Sequence, residues 1–128
     1  MPPRLFTLIE ANAALDVIRP IMAEIQGIKA SILERRPELW PALVRVAGNG
    51  GSPTLSRLAE EFRRLDFLVH RILETGAEIK DLSTGLVDFR FLHENREIYL
   101  CWKHGEDDIR YWHEIEAGFA GRQSIDAL

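Results

Sequence analysis

The apolar residues of this 128-residue chain keep two different periods, and the change from one to the other at Gly76 limits the fold more than any other feature. Before Gly76 they recur by threes and fours, the spacing that lines one face of an α-helix. After it they alternate residue by residue, which sends side chains to opposite faces of a strand. The expectation is one α+β domain over residues 1–128, with a long antiparallel αα-hairpin packed on a small antiparallel β-meander of three to four strands.

The first helix is expected over residues 7–36. Thr7 and Glu10 form a capping box, with the threonine hydroxyl taking a backbone N–H three residues on and the glutamate reaching back. Behind it, Ala11, Ala14, Ile18, Ile21, Ile25, Ile28 and Ile32 make a heptad-like seam. Pro20 removes one hydrogen bond inside this run, which predicts a kink one turn earlier and not two helices. The second helix is expected over 53–75, opened by Ser52-Pro53 and stopped by Gly76, with Leu55, Leu58, Phe62, Leu65, Val69 and Ile72 as its seam. Between the helices, residues 37–52 read as a connecting loop whose first part, with Leu39, Trp40, Leu43 and Val44, folds back and packs. Its "GNGG" end is either a flexible turn or an anion cradle before a helix; it lacks the lysine and the preceding strand of a phosphate-binding loop.

In the second half, residues 77–116 read as the meander. "LVDFRFL" and "EIYLCWK" flank "HENR", and with Glu94 and Asn95 at the turn, Val87 pairs with Trp102, Phe89 with Leu100 and Phe91 with Ile98. Those six side chains share one face. The other face pairs Asp88 with Cys101 and Arg90 with Tyr99, and a slip of one residue would put the aromatics in water. "IRYWHEI" is expected to be a third strand, "AEIKDL" another, and residues 117–128 a tail carrying "GFAGRQ".

Several of these residues fall in motifs that resemble the domain of unknown function 2203 family of small bacterial proteins. They are Phe6-Thr7-Leu8, Glu10-Ala11-Asn12, Lys80-Asp81-Leu82, Gly85 to Phe89, Leu100-Cys101-Trp102, Gly105-Glu106, Trp112-His113 and Gly118 to Gln123. The chain departs from the pattern at Arg90 and Ser124, where the family often has proline. The resemblance covers nearly the whole chain and implies its boundaries; it brings no established activity.

Composition narrows the partners. One cysteine excludes an internal disulfide and a multi-thiolate zinc site, in keeping with a reducing cytoplasm. The amino terminus does not read as a signal peptide, and no apolar run reaches the roughly 20 residues that span a bilayer. Residues 1–76 carry ten Lys/Arg against nine Asp/Glu, whereas 77–128 carry six against eleven, and an acidic half disfavours nucleic acid.

Chemistry concentrates in residues 101–123. By element, Asp88, Cys101, His104, Glu106, His113, Glu114 and Glu116 are all candidate ligands for a divalent metal ion, although the set has no ligand-spacing motif. His104, Glu106 and His113 are the metal candidates; alternation puts Cys101 with Asp88 on the face away from the aromatics and His104 on the aromatic side, while His113 joins either group depending on the register after "GEDD". Trp102, Trp112 and Arg122 are the candidates for holding a small acidic ligand, Arg122 supplying a guanidinium for its carboxylate or phosphate. The bland alternatives are core tryptophans and an Arg122 paired with Glu106 or Glu116. Cys101 is not expected to be a nucleophile, since Asp88 across the strand pair opposes a thiolate. The leading expectation is a cytoplasmic binding module for a small ligand or metal ion. The alternatives are a metal-assisted hydrolase using His104, Glu106 and His113, and an interaction module dimerising through the helical hairpin.

Overall fold

The computed structural model describes residues 3–48 and 59–128. The Ser52-Pro53 cap, Leu55 and Leu58, and the "GNGG" stretch beyond Gly48 lie outside them.

Helix α1 runs over Leu8–Arg35, without a break at Pro20. Both arms of the capping box are made: Glu10 N donates to Thr7 Oγ1 at 3.0 Å, and Thr7 N donates to Glu10 Oε1 at 2.8 Å. Ala11, Leu15, Ile18, Met22, Ile25 and Ile32 are buried at helical spacing, while the expected seam members Ala14 and Ile28 are only partly so. The connection is not a plain loop. After a 3-10 turn at Pro37–Leu39, helix α2 spans Trp40–Val46, and it buries Trp40 and Leu43. Trp40 Nε1 donates to Ser83 Oγ at 3.1 Å, which ties this segment to the sheet. Helix α3 is described over Ala59–Glu74 and buries Phe62, Leu65, Leu68, Val69 and Ile72. Arg64 with Glu24 and Arg35 with Glu61 form exposed ion pairs across the hairpin, each a minor contribution beside the apolar contact.

The sheet is an antiparallel meander in the order β1 (Glu78–Asp81), β2 (Leu86–His93), β3 (Arg96–Lys103), β4 (Tyr111–Glu114), β5 (Gln123–Ser124). It has five strands, one more than the upper expectation. The addition is two residues of the tail, which pair with Tyr111 and Trp112 and are too short to leave a periodic signal. The β2–β3 register pairs Val87 with Trp102, Phe89 with Leu100, Phe91 with Ile98, Asp88 with Cys101 and Arg90 with Tyr99, as the alternation requires. The turn residues Glu94 and Asn95 have φ of 51° and 63°, the left-handed pair that matches strand twist in a two-residue hairpin.

One face of the sheet packs against the helices. Val87, Phe89, Ile98, Leu100, Trp102 and Trp112 join the buried stripes of all three helices in a single core. Each fully buried Leu, Ile or Phe there contributes about 1.5–3 kcal/mol. Phe6 closes one edge, its N–H donating to Arg90 O at 2.7 Å and its ring meeting Phe89 edge-on. Gly85, at φ +76°, lets the β1–β2 turn approach β3; a Cβ there would lie 2.6 Å from His104 Cβ. Among the described residues no helix is long and apolar enough to cross a membrane.

Candidate functional site

The strand alternation that fills the core also sends a second set of side chains to the opposite face. From β2 come Asp88 and Arg90, from β3 Tyr99 and Cys101, and from β4 Tyr111 and His113. Asp88 faces Cys101 directly. His113 is paired with Tyr99, one step diagonally from Cys101. From there its ring reaches past β3, and Nε2 lies 2.9 Å from Asp88 Oδ2. Asp88, Cys101 and His113 are 1%, 0% and 2% exposed. One donor atom from each lies within 4.8 Å of the others.

The proton inventory follows from the hydrogen bonds. His113 Nδ1 lies 2.7 Å from Glu114 O, and a carbonyl can only accept, so Nδ1 carries a hydrogen. A single proton then sits between Nε2 and Oδ2. Asp88 Oδ1, though buried, has no well-formed hydrogen bond, and the Cys101 thiol is the weak donor beside the carboxyl. Burial raises the Asp88 pKa, against the opposing charge of His113. Burial, reinforced by the Asp88 charge, pushes the Cys101 thiol up to about 12 while Arg122 opposes. At neutral pH Cys101 is therefore a thiol, and it does not act as a nucleophile by itself.

Two polar groupings flank this cluster. On the β1 side, Tyr99 Oη donates to Glu78 Oε1 at 2.8 Å and accepts from Arg90 at 2.8 Å, with Lys80 Nζ 4.4 Å from the Tyr99 ring centroid. On the tail side, Arg122 donates to both Glu106 oxygens, at 2.8 and 2.6 Å, and to Cys101 O at 3.2 Å. Its guanidinium stacks on Tyr111 and Phe119. Burial disfavours a charged Glu106, but Arg122 and the Lys103 N–H outweigh it and hold the carboxyl below its ordinary range.

The sequence candidates are dispersed by this geometry. His104, Glu106 and His113 do not meet. His104 is exposed beside the Trp102 edge, Glu106 is bound to Arg122, and only His113 reaches a ligand cluster. Its companions are Asp88 and Cys101, which alternation separates from His104 and leaves open to His113. Trp102 and Trp112 lie in the core on the opposite side of the sheet from Arg122, so the three do not line one pocket. Arg122 is already neutralised, and a small acidic ligand there would have to displace Glu106. Glu114 pairs with Arg96 at 2.8 Å, and Glu116 is exposed. The missed signal was the β4 register. Once Trp112 is assigned to the core beside Leu100, its neighbour His113 must fall on the Cys101 face.

Such a cluster can do two things chemically. It can hold one shared proton as a buried Asp–His pair, or it can exchange its acidic protons for a cation. No curated protein and no solved structure matches the chain. A family model described as "Uncharacterized conserved protein (DUF2203)" matches residues 4–125, and the chain belongs to that family.

Proposed function

We propose that the protein is a metal-ion binding module whose ligands are Asp88, Cys101 and His113. The observation that carries this reading is the convergence of a thiol, an imidazole and a carboxyl within 4.8 Å, all buried, with Asp88 Oδ1 left without a well-formed hydrogen bond. Buried polar atoms in folded proteins are nearly always hydrogen-bonded, and the Cys101 thiol, a weak donor, serves the Asp88 carboxyl poorly. A cation serves that carboxyl better. His113 is also held as metal-binding histidines commonly are, with the ring nitrogen away from the cluster donating to a backbone carbonyl. Once the shared proton leaves, Nε2 presents its lone pair to the cluster.

Equilibrium dialysis against zinc chloride followed by elemental analysis tests the reading. One ion per chain is expected, falling to none in Cys101→Ser; wild-type protein that emerges metal-free would overturn it. The expected dimer remains a proposal with a changed surface. Ile18 and Ile25 of the seam are fully buried within the chain itself, so pairing would use outward apolar residues of the hairpin such as Val17, Leu33 and Phe67.

A further inference from the structure

We infer that the ion is a thiophilic dication of the zinc class, held by three protein donors with one coordination place left for a small exogenous ligand. This rests on the metal-binding reading of the same three residues and adds the class of ion and the state of its shell.

The donor set decides the class. Calcium and magnesium take oxygen ligands, six or more in number, whereas one sulfur, one imidazole nitrogen and one carboxylate oxygen suit zinc or cobalt(II). Charge agrees with chemistry: a thiolate and a carboxylate balance a dication, so the buried place can be loaded without trapping net charge. The donor count decides the shell. Zinc sites that staple a fold close with four protein ligands, and sites that bind or activate something keep three. Among the described residues no fourth His, Cys, Asp or Glu joins this group. On either flank, Tyr99 Oη is committed to Glu78, and Glu106 to Arg122 and the Lys103 N–H.

Position in the fold points the same way. The apolar core lies on the other face of the sheet and unites all three helices with β2, β3 and β4, so the ion is not needed to close the domain. Beside Cys101 stands Arg122, bound to the Cys101 carbonyl, with its Nε buried and unpartnered.

Cobalt(II) serves as the probe because its colour reports both points. Titrating cobalt(II) chloride into the full chain should produce a sulfur-to-metal charge-transfer band in the near ultraviolet and intense visible bands of a four-coordinate centre. Added sodium azide should shift the visible bands. Cys101→Ser, checked for folding by circular dichroism, should lose the near-ultraviolet band. Magnesium and calcium chloride should give no binding by calorimetry. If neither cobalt nor zinc binds, the metal-binding reading itself fails. If cobalt binds without a thiolate band, Cys101 is not a ligand: an ion site survives, but the three-donor set and the zinc-class assignment are overturned. If the thiolate band forms but azide leaves the spectrum unchanged, the shell is closed and the vacant place is overturned. The wild-type spectrum decides all three, so a poorly folding variant does not spare the inference.

Discussion

Replacing His113 by leucine should be among the most damaging single substitutions on this face of the sheet. The ring is 2% exposed, its partner Asp88 1%, and their contact is 2.9 Å. Leucine fills most of the volume, so little of the loss comes from a cavity. What remains is a buried carboxyl that has lost its imidazole partner and keeps only the weak thiol contact of Cys101, while the Glu114 carbonyl retains the Ala117 N–H. Breaking a buried pair by removing one partner costs about 3–5 kcal/mol, and burial this complete leaves no reason to discount it for solvent. For a chain of this length that is a fall in Tm of roughly 12–20 °C, taking about 4 °C per kcal/mol. The companion experiment is Asp88→Leu with His113→Leu. With both polar groups gone nothing buried is left unpaired, so the double variant should be more stable than His113→Leu alone. Thermal and urea unfolding of the metal-free protein measure both quantities. A single-substitution cost under about 1 kcal/mol, or strictly additive losses in the double variant, would refute the buried-pair argument.

Three further outcomes follow. Because Cys101 holds its proton up to about 12 when folded against an ordinary value of 9.0, stability from this group is full below pH 9 and is lost as pH rises from about 9 to 12. Unfolding titrations of wild type and Cys101→Ser should diverge across that window, by at most about 4 kcal/mol for a three-unit shift. Arg122→Ala should cost about 2 kcal/mol by stranding Glu106, whose carboxylate is only 24% exposed, and hydrogen exchange should show the β5 amides released. Glu106→Gln in the same assay should retain the tail better than Arg122→Ala. Finally, Ile25→Lys should unfold the chain instead of producing folded monomers, since Ile25 is fully buried in its own core; sedimentation together with circular dichroism separates the two outcomes.

The period change at Gly76 carried the fold a long way. A capping box, the described parts of two amphipathic helices and a hairpin whose turn needs two left-handed residues are local features that local rules read, although the first seam has Leu15 and Met22 buried where Ala14 and Ile28 are only partly so. What failed to show was either short or set by the third dimension. Helix α2 has seven residues, with prolines nearby, and gives little periodic signal. β5 has two residues and exists because the tail meets the edge of β4. The candidate site lay between these extremes. Asp88 and Cys101 were placed together from the hairpin register, but His113 enters through a strand that follows "GEDDIR", and its face depends on how that loop sets β4. Counting from Trp112, which must be apolar-side, would have resolved it. His104 and Glu106 were grouped with His113 by proximity in sequence, a criterion that strands defeat because neighbours point apart.

In the proposed site Asp88, Cys101 and His113 exchange protons for an ion. Calorimetric titration of zinc chloride into metal-free protein at neutral pH, repeated in two buffers of different ionisation enthalpy, tests it most directly. One ion should bind per chain with release of about two protons, one from the Cys101 thiol and one from the Asp88–His113 contact, and Cys101→Ser should abolish the tight phase. Absence of binding heat, or an unchanged isotherm in Cys101→Ser, would contradict it.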